Sequence, residues 1–160
     1  CFLGSQWQRC KVHFMRNLLA HIPHKEKKRF AQSLKQIWLQ PDLKSAQRMA
    51  DLIIEQYESR FPEAIDCLMR GLEDSLQFYH FPALDKRKIS STNTMERLNK
   101  EIRRRTKVVG IFPSRDSYVR LVTCYVQEYT EDWIAGRSYF AKHNLLEMES
   151  IIKERQRIAA

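Results

Sequence analysis

The stretch SSTNTMERLNKEIRRRTK, residues 90–107, contains the most informative pattern in the sequence. It carries six cationic side chains around two carboxylates, Glu96 and Glu101. Its apolar residues recur at spacings of three and four, at Met95, Leu98 and Ile102. This spacing is typical of one buried helix face, so we predict a helix over Thr94–Lys107 with the charges on its other side.

Helices are also predicted on both sides of this stretch, because apolar residues there keep the same period. The upstream helices are Lys25–Leu39, Asp42–Arg60 and Glu63–Tyr79. Pro41 and Pro62 stand near helix starts, where a missing N–H costs little. Downstream, Ser114 is a good N-cap for a long helix that Gly136 ends, and a last helix is predicted over Leu145–Ile158.

The same spacing predicts which side chains face the interior. They are Phe30, Leu34, Ile37 and Trp38 in the first helix; Ala46, Met49, Ile53, Ile54 and Tyr57 in the second; Ile65, Leu68, Met69, Leu72 and Leu76 in the third; and Tyr118, Leu121, Val122, Tyr125, Val126, Tyr129 and Trp133 in the long helix.

The segment WQRCKVHF, Trp7–Phe14, has a different pattern. Gln8, Cys10, Val12 and Phe14 alternate with the other residues, and this period of two predicts a short strand. A helical turn or more follows and ends at Pro23. A single strand has no pairing partner, so we expect the rest of its sheet in sequence upstream of this chain. The first residue, Cys1, is not a methionine, and we also expect a piece of a longer protein.

The net charge of +9 is unevenly distributed along the chain. Residues 1–41 and 86–107 each carry +7, residues 42–85 carry −5, and residues 108–160 are balanced. Two dense basic segments indicate a surface for a polyanion, and nucleic acid is favoured over a membrane because neither segment has an apolar insertion face.

Hydropathy and cysteine usage indicate where the protein works. No apolar run approaches the roughly 20 residues that span a bilayer, and no signal peptide is evident. The four cysteines form no C-x-x-C pair, so reduced thiols in an intracellular protein are expected.

Glu96 has a structural and a chemical interpretation. Asn93 and Glu96 have the spacing of a capping box, with Asn93 as N-cap, and Glu101 has Arg97, Arg104 and Arg105 within helical reach. Alternatively, Glu96 binds a divalent cation while neighbouring amides and cations bind DNA phosphates. Spacing alone does not choose between the two interpretations.

Two blocks of the sequence resemble a known family. The segment STNTMERLNKEIRRRTKVVGIFPS (Ser91–Ser114) resembles the signature of the Mutator-type bacterial transposases, which are DDE recombinases. The segment WQRCKVHFMRNLL (Trp7–Leu19) resembles the C-x-x-H block of the same family, here Cys10 and His13. The two blocks occur in the family's order, separated by a helical insertion, so the resemblance covers most of the chain.

The resemblance implies a fold. The chain would be mainly α, with a partial ribonuclease-H-like α/β core, its last strand and the following helix, interrupted by an all-helical insertion. Residues 1–23 would end the core sheet, residues 24–85 would form the insertion, and residues 86–160 would contain the returning core helix and the C-terminal helices.

The resemblance also implies a chemistry, in which Glu96 matches the family's catalytic, metal-binding glutamate. In the family, two Mg²⁺ ions held by Asp, Asp and Glu activate water and then a 3′-hydroxyl for attack on phosphodiesters. No acid precedes Glu26, so both aspartates are expected outside this chain, which alone would be inactive. The implied partners are transposon ends and target DNA, bound by a homo-oligomer, with no membrane, in the cytoplasm at the nucleoid.

The side chains expected to contact DNA lie in both blocks. They are Arg9, Lys11, Arg16 and Asn17 in the first, and Lys86, Lys88, Asn93, Asn99, Lys100, Arg103, Arg104, Arg105 and Lys107 in the second. One alternative function is a non-catalytic DNA-binding or assembly module, either decayed or repurposed. A lesser alternative is a zinc-stabilised helical module that uses Cys10, His13, His21 and His24.

Overall fold

The computed structural model describes residues 7–136 and 139–159, and its regular elements within those ranges are all helical. The α-helices are α1 (Lys11–Ala20), α2 (His24–Leu39), α3 (Leu43–Tyr57), α4 (Pro62–Leu76), α5 (Lys86–Ile89), α6 (Asn93–Val109), α7 (Arg115–Ala135) and α8 (Lys142–Ala159). A 3₁₀ turn, Gln77–His80, follows α4. The chain forms two compact units, one up to Ser91 and one from Thr92 onward. The mainly helical fold is confirmed.

Local chemistry explains where several helices begin. The carboxylate of Asp42 accepts a hydrogen bond from the Ser45 N–H at 2.8 Å, which satisfies a free donor at the start of α3. Pro62 occupies the first turn of α4. The Ser114 hydroxyl accepts from the Ser117 N–H at 3.2 Å, so Ser114 is confirmed as the N-cap of α7.

The first unit is built on one hydrophobic core between α1, α2, α3 and α4. The Phe30 ring makes edge contacts with Tyr57 and Phe61 at centroid distances of 5.0 and 5.7 Å. The interior faces predicted for α2 and α3 are confirmed as buried or partly buried, whereas Met69 in α4 is 59% exposed and its prediction is wrong. The buried set is Phe14, Leu18, Ile22, Phe30, Leu34, Ile37, Trp38, Ala46, Ala50, Ile53, Tyr57, Phe61, Ala64, Ile65, Leu68, Leu76 and Phe78.

The strand predicted over Trp7–Phe14 is wrong. Residues 7–10 have no regular structure, and α1 begins at Lys11, with the Phe14 N–H bonded to the Cys10 carbonyl at 2.9 Å. The competing signal is the spacing of four between Phe14, Leu18 and Ile22, all buried. Helix α1 places Phe14 and Leu18 on one face and Ile22 follows its end, and the burial of these side chains outweighs a short alternation.

The residues before α1 are attached to the end of α4. The Gln8 side chain accepts from the Phe78 N–H at 2.7 Å and donates to the Ser75 carbonyl at 3.2 Å. Helix α1 packs against α4 and α2, so the segment expected to end a core sheet shares its hydrophobic core with the expected insertion. The ribonuclease-H-like core and the three-part division stay predictions, and residues 1–6 of the first segment lie outside the described residues.

The second unit contains α6, α7 and α8, and few of its described hydrophobic side chains are buried. Within its described residues, the largely buried hydrophobic side chains are Tyr125 (8% exposed) and Met148 (4%). Met95, Tyr118 and Val126 are exposed, and the prediction that they face the interior is wrong. Each of these helices has few neighbours within the unit, so amphipathic spacing alone does not ensure burial. The side chain of Trp133 lies outside the described residues.

Candidate active site and nucleic-acid interface

Glu96 lies in the first turn of α6, and its carboxylate is held by Thr92. The Thr92 hydroxyl donates to Glu96 Oε1 at 2.9 Å, and the Glu96 N–H bonds to the Thr92 carbonyl at 2.9 Å. The N-cap is therefore Thr92, and the predicted capping box with Asn93 as N-cap is wrong. The helix begins one residue before the pattern placed it, so Glu96 stands at the fourth helical position and its carboxylate accepts from the hydroxyl group of the N-cap residue.

An open depression lies beside this carboxylate. It is lined by Asn93, Glu96, Arg97 and Lys100, and all four side chains are exposed. A carboxylate suits a hard divalent cation, and Arg and Lys suit phosphate oxygens. Asn99 is exposed on the same helix but does not line the depression.

A row of cations continues from the depression along α6. The members of this cation strip are exposed and recur at helical spacing: Arg97, Lys100, Arg103, Arg104 and Lys107. From the first to the last, the strip extends about 15 Å along the helix axis. Such a strip can follow a nucleic-acid backbone, with affinity that depends strongly on salt.

Glu101 has the structural role that the sequence predicted, with two of the three expected partners in contact. Its carboxylate accepts from Arg104 Nη2 at 2.6 Å and from Arg105 Nε at 3.2 Å. The hydrogen bond from Arg104 is the main cause that lowers the pKa of Glu101 to about 2. Arg105 also lies over the Tyr125 ring, 4.1 Å from its centroid. Arg105 thus joins α6 to α7, whereas the pattern marked it as a partner of Glu101 and as a DNA contact.

We expect the Glu101 carboxyl to titrate near pH 2 instead of its usual 4.5. A pKa lowered by folding means that the carboxylate stabilises the folded state fully above pH 4.5, and that this contribution is lost as the pH falls from 4.5 to about 2. Carboxyl-carbon NMR titration measures this directly. Added salt should raise the pKa because the pair is exposed, and a midpoint at the usual value would contradict the ion pairs. In E101Q, the contribution of Glu101 to the fall in unfolding free energy between pH 4.5 and about 2 should disappear.

The first-block cations lie in the other compact unit and are partly used in its packing. Arg9 lies 5.2 Å from the Phe14 ring centroid and 3.7 Å from the Asp74 carboxylate. The Lys11 ammonium lies 5.9 Å from the Phe78 ring centroid, and burial lowers the pKa of Lys11. These contacts stabilise the fold and reduce the freedom of both side chains to follow a phosphate backbone.

The remaining DNA candidates of this unit differ in environment. Arg16 and Asn17 are exposed on α1. Lys86 donates to the Pro41 carbonyl at 2.7 Å, and its ammonium lies 4.5 Å from the Tyr79 ring centroid. Lys88 is half-buried in the same short helix, α5. Arg16 and Asn17 are thus more accessible to a ligand than Lys86.

The C-x-x-H pair lies at the start of α1. Cys10 is the N-cap residue and His13 is in the first turn, both half-buried. His21 contacts the Glu63 carboxylate at 3.3 Å. Within residues 7–136 and 139–159, no three His, Cys, Asp or Glu side chains are placed to hold a metal ion together, so the structure does not assemble the suggested zinc ligands. Cys67 and Cys124 are free thiols.

Thr92 and Tyr125 are residues that the sequence argument missed, and Arg97, which lines the depression, was expected only as a partner of Glu101. A signal for Thr92 was present, because a hydroxyl four residues before a helical carboxylate can reach it. Tyr125 was predicted only as a core residue, and its stacking on Arg105 depends on how α6 and α7 pack. In the described part of the chain, no helix combines the length and apolarity required to cross a membrane.

Comparison with known proteins places the chain among transposases. Residues 1–136 match the family described as "Transposase, Mutator family". The transposase for insertion sequence element ISRM5 from Rhizobium meliloti is 36% identical over 92% of this chain and 37% of its own length. The transposase for IS1081 from Mycobacterium tuberculosis is 40% identical over 85% of this chain and 33% of its own length.

A third relative is the transposase for IS256 in transposon Tn4001 from Staphylococcus aureus, 36% identical over 86% of this chain and 36% of its own length. The chain therefore spans about a third of the length of these relatives. No solved structure matches it. Because the family match extends over both sequence blocks and all helices from α1 to α7, the chain belongs to the Mutator family of transposases.

Proposed function

We propose that this chain is the C-terminal part of the catalytic domain of an insertion-element transposase, which cleaves and joins DNA strands with Mg²⁺. The observation that carries the proposal is the position of Glu96 in a chain of this family. The carboxylate is exposed at the start of a helix, beside a depression lined by Asn93, Arg97 and Lys100.

The residues present supply one ligand of the proposed metal site. Glu96 would hold Mg²⁺ together with two aspartates from outside this chain, and the bound ions would polarise the phosphodiester and activate the attacking oxygen. The Thr92 hydroxyl, 2.9 Å from Glu96 Oε1, would orient the carboxylate toward the metal. Arg97, Lys100 and the following cations would bind the DNA backbone.

A strand-cleavage and joining assay on labelled DNA tests the proposal with the full-length protein that contains this chain. We expect cleavage and joining with Mg²⁺ and neither with EDTA, while DNA is bound under both conditions. Salt must be held constant between the two arms, since phosphate contacts weaken steeply with salt. Binding without cleavage at any Mg²⁺ concentration would instead favour the non-catalytic DNA-binding module.

A further inference from the structure

The end of α6 and the turn that joins it to α7, residues 108–114, present an apolar tip. Val108 is 81% exposed and Ile111 is 92% exposed; these two side chains are called the apolar tip below. Solvent-exposed turns are mostly built from Gly, Pro, Asn, Asp and Ser. A branched aliphatic side chain held in water in this turn, Ile111, and a second one at the helix end beside it, Val108, point to a contact with a binding partner.

The apolar tip is fixed to the helices that flank it. Gly110 has a φ of 74°, a left-handed conformation that favours glycine. The Phe112 ring turns back onto Tyr118, with centroids 5.3 Å apart and the rings nearly perpendicular. Ser114 then caps α7. A turn constrained at three successive points can present its side chains without a large loss of conformational entropy on binding.

The cation strip leads directly to the apolar tip. Val108 follows Arg104 by four residues and Lys100 by eight, so the three lie on one face of α6. Lys107 precedes the tip and Arg115 follows it, and both are exposed. The partner of this surface must therefore combine a row of negative charges with an apolar site that accepts two branched aliphatic side chains.

We propose that the apolar tip is a DNA wedge, in which Val108 and Ile111 insert against a base step through the minor groove while the cation strip binds the adjoining phosphates. Duplex DNA offers both features, since apolar wedges unstack base steps and kink the helix where flanking cations bind the backbone. Insertion is easiest at flexible pyrimidine–purine steps, so the wedge would select DNA by its deformability. The inference rests on the DNA binding in the proposed function and adds a second contact, separate from Glu96.

The test uses the full-length protein and a mixed-sequence duplex that contains one TA step with 2-aminopurine beside it. Insertion unstacks the probe and raises its fluorescence, so we expect a rise with the unsubstituted protein and loss of that rise with V108S/I111S. The matched control is V119S, which makes the same kind of change at an exposed apolar residue of α7 (48% exposed) outside the turn; it should keep the rise. Because all three sites are exposed, each variant should fold, and circular dichroism checks this.

The outcomes separate the wedge from the proposed function. If the protein binds the duplex and the fluorescence rises equally with V108S/I111S, or never rises, the wedge is overturned while DNA binding stands. Binding to anionic phospholipid vesicles that depends on the apolar tip, without probe unstacking, would overturn the wedge in favour of a membrane contact. A change in oligomeric state on V108S/I111S, again without unstacking, would assign the tip to a protein interface. Failure to bind any DNA would overturn both proposals.

Discussion

Glu96→Gln in the full-length transposase is expected to abolish strand transfer and leave DNA binding intact. The amide oxygen of Gln can still accept the hydroxyl hydrogen bond that Thr92 donates at 2.9 Å, so the first turn of α6 should persist. A neutral amide is a poor Mg²⁺ ligand. Since loss of a residue that merely orients a metal ligand lowers activity by 10–100-fold, loss of the ligand itself should exceed about 100-fold.

The matched control for this experiment is E101Q, the same chemical change five residues further along α6. Glu101 is engaged by Arg104 and Arg105, so its substitution should alter helix stability and leave strand transfer nearly unchanged. Strand transfer on labelled DNA and binding at fixed salt are measured for both variants. Retention of strand transfer by E96Q would exclude a metal-ligand role for Glu96, and equal losses in both variants would point to a structural effect of the helix.

Phe14→Ala should cause one of the largest losses of stability among single substitutions in the first unit. The side chain is 1% exposed, and its ring lies 6.2 Å from the Trp38 ring in an edge arrangement. Truncation of a buried Phe leaves a cavity and costs about 3–5 kcal/mol of unfolding free energy. Urea denaturation followed by tryptophan fluorescence measures the change. The control is V12A, at a 36% exposed position of the same helix, which should cost less than about 1 kcal/mol.

A second substitution makes this prediction specific to the packing observed. A Cβ added at Gly71 would lie 2.7 Å from the Phe14 ring, so G71A alone should destabilise by about 1–3 kcal/mol from overpacking. In the F14A background the ring is gone, and the same change should become neutral or stabilising, since Ala also favours helix by about 1 kcal/mol over Gly. Strictly additive effects would contradict the contact.

Helical periodicity predicted most of the fold because most helices in the first unit bury one face. The spacing of Phe30, Leu34 and Ile37 was sufficient to predict a buried face, and all three are fully enclosed. The same rule was wrong for Met95 and Tyr118, which are exposed. A spacing pattern states which side chains share a face, but whether another element covers that face depends on tertiary packing.

The candidate site, like the fold, could be predicted from the sequence only in part. Charge density and the family signature were sufficient to single out Glu96 and every member of the cation strip except Arg97. They did not reveal that Thr92 holds the carboxylate, since this depends on where the first turn of α6 closes. Nor did they show that Arg105 stacks on Tyr125 from the next helix, or that Lys11 is half-buried against Phe78.

The sequence by itself determined the family, the helical class of the fold, the cationic face of α6 and the carboxylate at its start. These properties depend on residue type and on spacing along one helix, which are both local. Only the tertiary structure decided that Trp7–Phe14 contains no strand, which cations are committed to packing, and that Val108 and Ile111 remain in solvent. Each of these depends on which surfaces the other elements cover, because burial of apolar area is a property of the whole packed unit.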